Sequence, residues 1–360
     1  MSEEIFLMKG NEAIAHAAIR YGADGYFGYP ITPQSEILET LMAEAPWRTT
    51  GMVVLQAESE TASINMVYGG AGCGKAVMTS SSSPGMSLML EGVSYIAAGE
   101  LPCLLVNVMR GGPGLGTIQP SQADYFQAVK GGGHGDYKLL TLAPSSVQEM
   151  SDFVVLGFEL AFKYLTPVMI LTDGVIGQMM EKVKLPAYKR RRTEAEIREQ
   201  CPWATLGRPE SRKPNIITTL ELDSNKMEVN NLRLQAKYKK IEKEISMHQE
   251  INCEDADYIL VAFGSAARIC QKAMDLARAK GIKVGLIRPI TLWPFPSKEI
   301  DKYSSKIKGI LTVEMNAGQM VEDVRLAVNG KVKVEHYGRL GGIVPTPGEV
   351  LDALRNKFDC

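Results

Sequence analysis

The sequence predicts an α/β protein with two parallel-sheet domains joined by a charged connector, and three observations carry that expectation. The chain of 360 residues is long for one hydrophobic core, since domains centre on about 150 residues. Its first half alternates short apolar runs with segments of helical period, the pattern of a parallel sheet wrapped by helices. That alternation stops near Pro186 and resumes near Asp255. With 45% hydrophobic and 22% charged residues, long disorder, collagen and repeat arrays are excluded.

Within residues 1–185, Ala13, Ile14, Ala17, Ala18 and Tyr21 recur at helical spacing, and Tyr26–Tyr29 reads as the first strand. A helix burying Ile37, Leu38, Leu41, Met42 and Ala45 follows, then strand Met52–Leu55 and a helix from about Glu58. Strand Ala76–Thr79, helix Met86–Ala97 and strand Cys103–Met109 continue the pattern. A glycine-rich loop ends near Gly135, and strand Lys138–Leu142 follows it. Ser146-Val147-Gln148-Glu149 has the form of a capping box, the hydroxyl taking an orphan amide and the glutamate reaching back. It opens a helix to about Lys163, and Pro167–Leu171 is the sixth strand.

Residues 186–254 are too polar for a core of their own. Lys189–Arg192 is expected to be a solvated turn, since flanking acids cancel its charge. Leu234, Tyr238, Ile241 and Ile245 share one face of a connecting helix that docks on a neighbour. Residues 255–360 restart with strand Tyr258–Phe263, helix Ala267–Ala279 and strand Val284–Ile287. A proline-bracketed loop, Arg288–Pro294, precedes strand Gly309–Glu314 and a helix through Val328.

Forty Lys plus Arg against 41 Asp plus Glu give a net charge of −1, too little to hold nucleic acid or an anionic membrane. Apolar runs fall short of the ~20 residues of a membrane span, and Met1-Ser2-Glu3-Glu4 is acidic, unlike a secretory signal. The cysteines Cys73, Cys103, Cys201, Cys253, Cys270 and Cys360 have no Cys-x-x-Cys spacing for a cluster or zinc. A soluble, cytoplasmic chain with no metal site of its own is expected.

Three glycine motifs mislead. Gly69-Gly70-Ala71-Gly72-Cys73-Gly74-Lys75 has P-loop spacing, but Ala76 replaces the Mg²⁺-binding Ser or Thr and the glycines end a helix, so a helix cap and turn is expected. Gly112-Pro113-Gly114-Leu115-Gly116 lacks the helix-opening third glycine of a dinucleotide fingerprint. Gly264-Ser265 could place an anion at a helix N-terminus or simply turn the chain.

In an open parallel sheet, ligands gather at the carboxyl ends of strands. Three polar features fall there. Thr32, in Tyr29-Pro30-Ile31-Thr32-Pro33, reads most simply as a helix N-cap with Pro33 at N1. Glu58 and Glu60 lie in a helix's first turn, where carboxylates complement the dipole. Arg110 closes the strand Cys103–Met109 and could clamp a carboxylate or be solvated.

Taken together, Tyr29–Pro33, Gln56-Ala57-Glu58, Ser82-Ser83-Pro84-Gly85, Glu100-Leu101-Pro102 and Arg110-Gly111-Gly112-Pro113 resemble the alpha subunit of 2-oxoacid:ferredoxin oxidoreductases. The resemblance covers nearly the whole chain, including the Pro-Ile-Thr-Leu-Trp-Pro loop. It implies a pyrimidine-binding-type thiamine diphosphate domain over 1–185, the charged connector over 186–254, and a transketolase C-terminal-like domain over 255–360. Gly114–Gln122 and Gly131–Tyr137 are similar to the branch acting on 2-oxoisovalerate.

By that resemblance, Glu58 matches the glutamate that touches the pyrimidine N1′ of thiamine diphosphate, with Glu60 the second candidate because the Gln-x-Glu spacing selects Glu58. A buried acid there shares a proton with N1′ and so activates the thiazolium carbon. Thr32 matches the active-site threonine and Arg110 the substrate-carboxylate arginine. The role of His134 stays open. A Gly-Asp-Gly…Asn element for Mg²⁺ and the diphosphate is missing, because Thr172 precedes Asp173-Gly174. The resemblance therefore implies a beta subunit carrying the diphosphate-binding domain and gamma-type and ferredoxin-like delta subunits. Mg²⁺ and iron–sulfur clusters would sit on these partners, and coenzyme A would be the co-substrate. The rivals are the same enzyme for 2-oxoglutarate or pyruvate, which the glycine-rich 111–116 loop disfavours by offering no second cation, a non-catalytic assembly module, and a P-loop protein.

Overall fold

The computed structural model describes residues 4–208, 210 and 212–360; Met1, Ser2 and Glu3 of the acidic opening lie outside them. Its strands are β1 Ile5–Lys9, β2 Gly25–Gly28, β3 Val53–Gln56, β4 Val77–Ser81, β5 Cys103–Met109, β6 Leu140–Leu142 and β7 Pro167–Asp173. They continue with β8 Met180–Lys184, β9 His248–Ile251, β10 Tyr258–Val261, β11 Val284–Pro289, β12 Thr291–Trp293, β13 Gly309–Glu314 and β14 Val334–Gly338.

The larger sheet has the order β12-β6-β7-β5-β4-β2-β3, parallel except for β12. β4, β5 and β7 are buried along their whole length, as strands covered on both faces must be. β3 is instead an exposed edge. Helices Gly10–Tyr21 and Val147–Tyr164 pack together, Tyr21 stacking on Phe158 at 4.7 Å. Helices Glu60–Gly72 and Ser83–Ala98 form a second pair. A Cβ on Gly92 would stand 2.6 Å from Ile64, so that glycine sets how closely they approach.

The smaller sheet is β14-β13-β10-β11-β9, with only β9 antiparallel. The expected proline-bracketed loop is a strand: β12 pairs with β6 and makes the C-terminal region complete the first sheet. Leu292 and Trp293 are buried there. Four residues between Pro289 and Pro294 give no strand period to read. The ribbon β1–β8 is a second addition.

Two other expectations change. Ser146 caps its helix through the Glu149 amide (3.1 Å), but Glu149 reaches to the Ser145 amide and to Arg288, so the box is half formed. The basic run is a clasp and not a solvated turn. Arg191 pairs with Asp24 (2.9 Å), Arg192 donates to the Gly74 carbonyl (2.7 Å), and Arg190 and Lys189 pair with Glu196 and Glu159. The connecting helix, Ser224–Glu244, buries Leu234, Tyr238 and Ile241, with Tyr238 edge-on to Trp293 at 5.7 Å. Among the described residues, no helix is long and apolar enough to cross a membrane.

The sheets meet through polar contacts. Asp173 caps the short helix Gly174–Gln178 and also accepts from Ser265 at the start of helix Gly264–Ala279. The anion at the Gly264-Ser265 helix end is thus the chain's own carboxylate. Burial pushes the Asp173 carboxyl up, against the pull of its hydrogen bonds. Gln122 donates to the Phe263 carbonyl and accepts from the Met315 amide.

Candidate active site

The carboxyl ends of β2, β3, β4 and β5 converge around four consecutive serines. Ser80 donates to Gln34 (2.6 Å) and meets the Tyr26 hydroxyl (2.7 Å), fixing the loop after β2. Ser83 donates to Asp124 (2.6 Å) and accepts from the Arg110 amide (3.1 Å), fixing the end of β5. Ser81 and Ser82 are buried between them with unpartnered hydroxyls. Burial pushes the Asp124 carboxyl up, opposed by its bonds from Ser83 and Asn107.

Thr32 does not cap a helix: the helix starts at Ser35 with Gln34 at the cap, and the Thr32–Pro33 peptide is cis. Asn11 holds the Pro33 carbonyl at 2.7 Å, and the Thr32 side chain is left exposed. The Ala57 amide bonds the Gly28 carbonyl (2.8 Å), which brings the 57–60 segment beside this loop.

Ser59 then caps the helix through the Ala62 amide (3.2 Å), and the two glutamates part. Glu58 is exposed, whereas Glu60 is buried, at 7% exposure. A Cβ on Gly85 would stand 2.5 Å from the Glu60 carboxylate and 2.3 Å from the Ser81 hydroxyl, so the glycine makes room for both. Glu60 has no hydrogen-bond or ion-pair partner among the described residues. The spacing argument favoured Glu58. Burial separates the two glutamates, a difference invisible before the helix start is known.

Arg110 is 8% exposed. It donates to the carbonyls of Thr32 (3.0 Å) and Leu115 (3.1 Å), leaves Nε unpartnered, and meets no acid among the described residues. Thr32 and Arg110 are therefore in direct contact, and the loop tip beyond Arg110 presents Leu115 and Ile118 to solvent. Loop 341–342 of the C-terminal region lies on this loop: a Cβ on Gly342, whose φ is +95°, would stand 2.4 Å from Gln119. His134 is elsewhere, edge-on to Tyr95 at 6.0 Å. It lines a cavity of about 540 Å³ behind the connector. A second cavity, of about 630 Å³, lies beneath Trp293. None of Thr32, Glu58, Glu60 or Arg110 lines either.

This fold, with a buried carboxylate and a buried guanidinium gathered at the strand ends of one parallel sheet, is that of an α/β enzyme. Its sequence matches the family described as pyruvate flavodoxin/ferredoxin oxidoreductase, thiamine diphosphate-binding, over residues 16–249, and pyruvate:ferredoxin oxidoreductase core domain II over 256–350. The chain belongs to this family of 2-oxoacid:ferredoxin oxidoreductases. It is 48% identical to the ketoisovalerate oxidoreductase subunit VorB of Methanothermobacter marburgensis, over 97% of each chain. It is 37% identical to the 2-oxoglutarate synthase subunit KorA of Methanothermobacter thermautotrophicus, over 98% of this chain and 99% of that one. Among solved structures it resembles the 2-oxoglutarate:ferredoxin oxidoreductase of Magnetococcus marinus with 2-oxoglutarate, coenzyme A and succinyl-CoA bound. The TM-score is 0.86 and the identity 27%, covering 99% of this chain and 66% of that one.

The residues fit the pyrimidine side of thiamine diphosphate. A buried carboxylate without a donor, next to orphaned hydroxyls, suits a ring nitrogen that carries a proton.

Proposed function

We propose that this chain is the alpha subunit of a cytoplasmic 2-oxoacid:ferredoxin oxidoreductase that oxidatively decarboxylates 2-oxoisovalerate to acyl-CoA and CO₂, with electrons passing to ferredoxin. Residues 1–185 form its thiamine-type domain, 186–254 the connector and 255–360 the transketolase C-terminal-like domain, with β9 of the connector joining the second sheet and β12 the first. The diphosphate, Mg²⁺ and iron–sulfur clusters belong to beta, gamma-type and delta partners.

One observation carries the reading: Arg110 is a buried cation with no acid beside it among the described residues. A buried charge is costly unless paired, and a 2-oxoacid carboxylate supplies the missing partner in bidentate form. Thr32, held by Arg110 through its carbonyl, offers its hydroxyl to the same carboxylate or to the cofactor's amino group. Thiamine diphosphate, when bound, supplies the nucleophilic carbon and the electron sink for decarboxylation. Glu60 holds the proton at N1′ and Glu58 forms the rim, exchanging the order that spacing suggests. Leu115 and Ile118 favour the branched acid over 2-oxoglutarate, whose second carboxylate would need another cation.

The experiment is an anaerobic viologen-reduction assay of the complex with thiamine diphosphate, Mg²⁺, coenzyme A and 2-oxoisovalerate, pyruvate or 2-oxoglutarate. Preferred reduction with the branched acid supports the reading. A preference for 2-oxoglutarate moves the assignment to the KorA-like activity, and silence on all three with clusters intact favours the assembly module.

A further inference from the structure

The glycine-rich loop that carries Arg110 begins and ends on one hydroxyl. Ser83 Oγ accepts from the Arg110 amide at 3.1 Å and donates to the Asp124 carboxylate at 2.6 Å. It also stands 3.2 Å from the Arg110 carbonyl. A hydroxyl has one proton, and the shorter contact to a charged acceptor takes it. Asn107, three residues before Arg110 on β5, donates to the same Asp124 oxygen at 2.9 Å. Asp124 therefore straps the end of β5 at two points. Its carboxylate has no other hydrogen bond and no ion pair among the described residues.

Between its pinned ends the loop folds back on itself. Pro120 bridges to Arg110, the Gly111 amide donates to the Gln119 carbonyl (2.9 Å), and the Thr117 amide donates to the Gly111 carbonyl (2.8 Å). That path places the Leu115 carbonyl against one terminal nitrogen of Arg110, while the Thr32 carbonyl takes the other. The aim of the guanidinium thus depends on the shape of its own loop, and the shape depends on where the two ends are held. We infer that Asp124 is a positioning residue for the 2-oxoacid. Through Ser83 it sets the loop against which Arg110 rests, and so the direction of the fork that meets the substrate carboxylate. The inference rests on the reading of Arg110 as that carboxylate's partner.

The test is steady-state kinetics of the assembled complex with coenzyme A and the 2-oxoacid that it turns over best. The substrate carboxylate departs as CO₂, so a misaimed Arg110 weakens substrate binding more than the later steps. Asp124→Ala should raise KM for the oxoacid about ten- to hundredfold, lower kcat by less than about threefold and leave KM for coenzyme A in place. Asp124→Asn keeps an acceptor for both donors and should recover most of the loss. Ser83→Ala cuts the same link from the other side, so its effect on KM and that of Asp124→Ala should not add in the double variant. It also stands as the test if Asp124→Ala fails to assemble. Arg110→Lys separates the two readings: an unchanged oxoacid KM there overturns the carboxylate role and the inference with it. A raised KM in Arg110→Lys beside an unchanged KM in Asp124→Ala overturns the inference alone. Additive effects of the Ser83 and Asp124 substitutions, or a loss confined to kcat, overturn it as well.

Discussion

Asp173 and Glu60 are both buried carboxylates near strand ends of one sheet, yet the chain treats them in opposite ways. Asp173 accepts from the amides of Val175, Ile176 and Ser265 and from the Ser265 hydroxyl; Glu60 accepts from none of the described residues. Arg288 and Arg110 repeat the contrast. Each leaves its Nε unpartnered, so the difference lies in the carboxylate: Arg288 grips Glu149 with both terminal nitrogens (2.6 and 2.7 Å), and Arg110 holds only carbonyls. The seam between the sheets is finished within the chain, while the wall keeps a cation and an anion unanswered. Unpaired buried charge costs stability, so its survival at one edge of the fold points to ligand and partner.

The largest effect that sharpens this contrast is expected at Glu60. Glu60→Gln in the assembled complex should lower turnover about 10²–10⁴-fold, the span for a lost general acid or base. The isolated chain should melt no lower, because no internal bond is lost. Glu58→Gln should cost less than about tenfold, as exposed groups usually do little. Turnover measured on both variants decides between them, and the reverse ranking would return the N1′ role to Glu58.

The seam should respond in the other currency, stability. Glu149→Gln breaks the partly buried pair with Arg288, at a cost of about 3–5 kcal/mol at neutral pH. Burial pushes the Glu149 carboxyl up, but Arg288 and Ser145 more than offset it and hold it below its ordinary 4.5. The stabilisation is therefore complete above pH 4.5 and lost as pH falls through the lowered folded value. Urea melts of variant and unsubstituted chain should converge below that range. A gap that persists into acid would mean that shape, and not charge, holds the seam.

Much of the first sheet was legible because β5 and β7 are largely apolar runs between helices of clear period. What was missed depends on pairing at a distance. β12 has three residues between prolines, and its partner β6 lies about 150 positions earlier. β9 and β14 are half-buried and mixed in polarity, so neither period shows. The motif residues Thr32, Glu58 and Arg110 stand at strand ends, but the family resemblance and not position alone singled them out. Which glutamate turns inward was not legible, because that depends on Ser59 capping the helix. That Arg110 touches Thr32, or lacks an acid, is a tertiary fact with no local signature.

A smaller seam effect is expected from Ser265→Ala. It removes one hydrogen bond to the buried Asp173 carboxyl, worth about 1.5–3 kcal/mol, with turnover per folded complex unchanged. A loss of activity exceeding the loss of folded protein would show that the seam also positions the wall.

The smallest expected effect is at Thr32, where backbone and side chain can be tested apart. Its carbonyl holds Arg110 in any variant, so Thr32→Val keeps that contact and the branched shape and removes only an exposed hydroxyl. One such hydrogen bond is worth about 1 kcal/mol, so kcat/KM should fall roughly fivefold in the complex while the melting temperature stays put. Thr32→Ser keeps the hydroxyl and should stay near the unsubstituted value. If both variants lose activity equally, the methyl group and not the hydroxyl is what the site uses. If Thr32→Val is silent, the residue serves the wall only through its carbonyl, which orients Arg110.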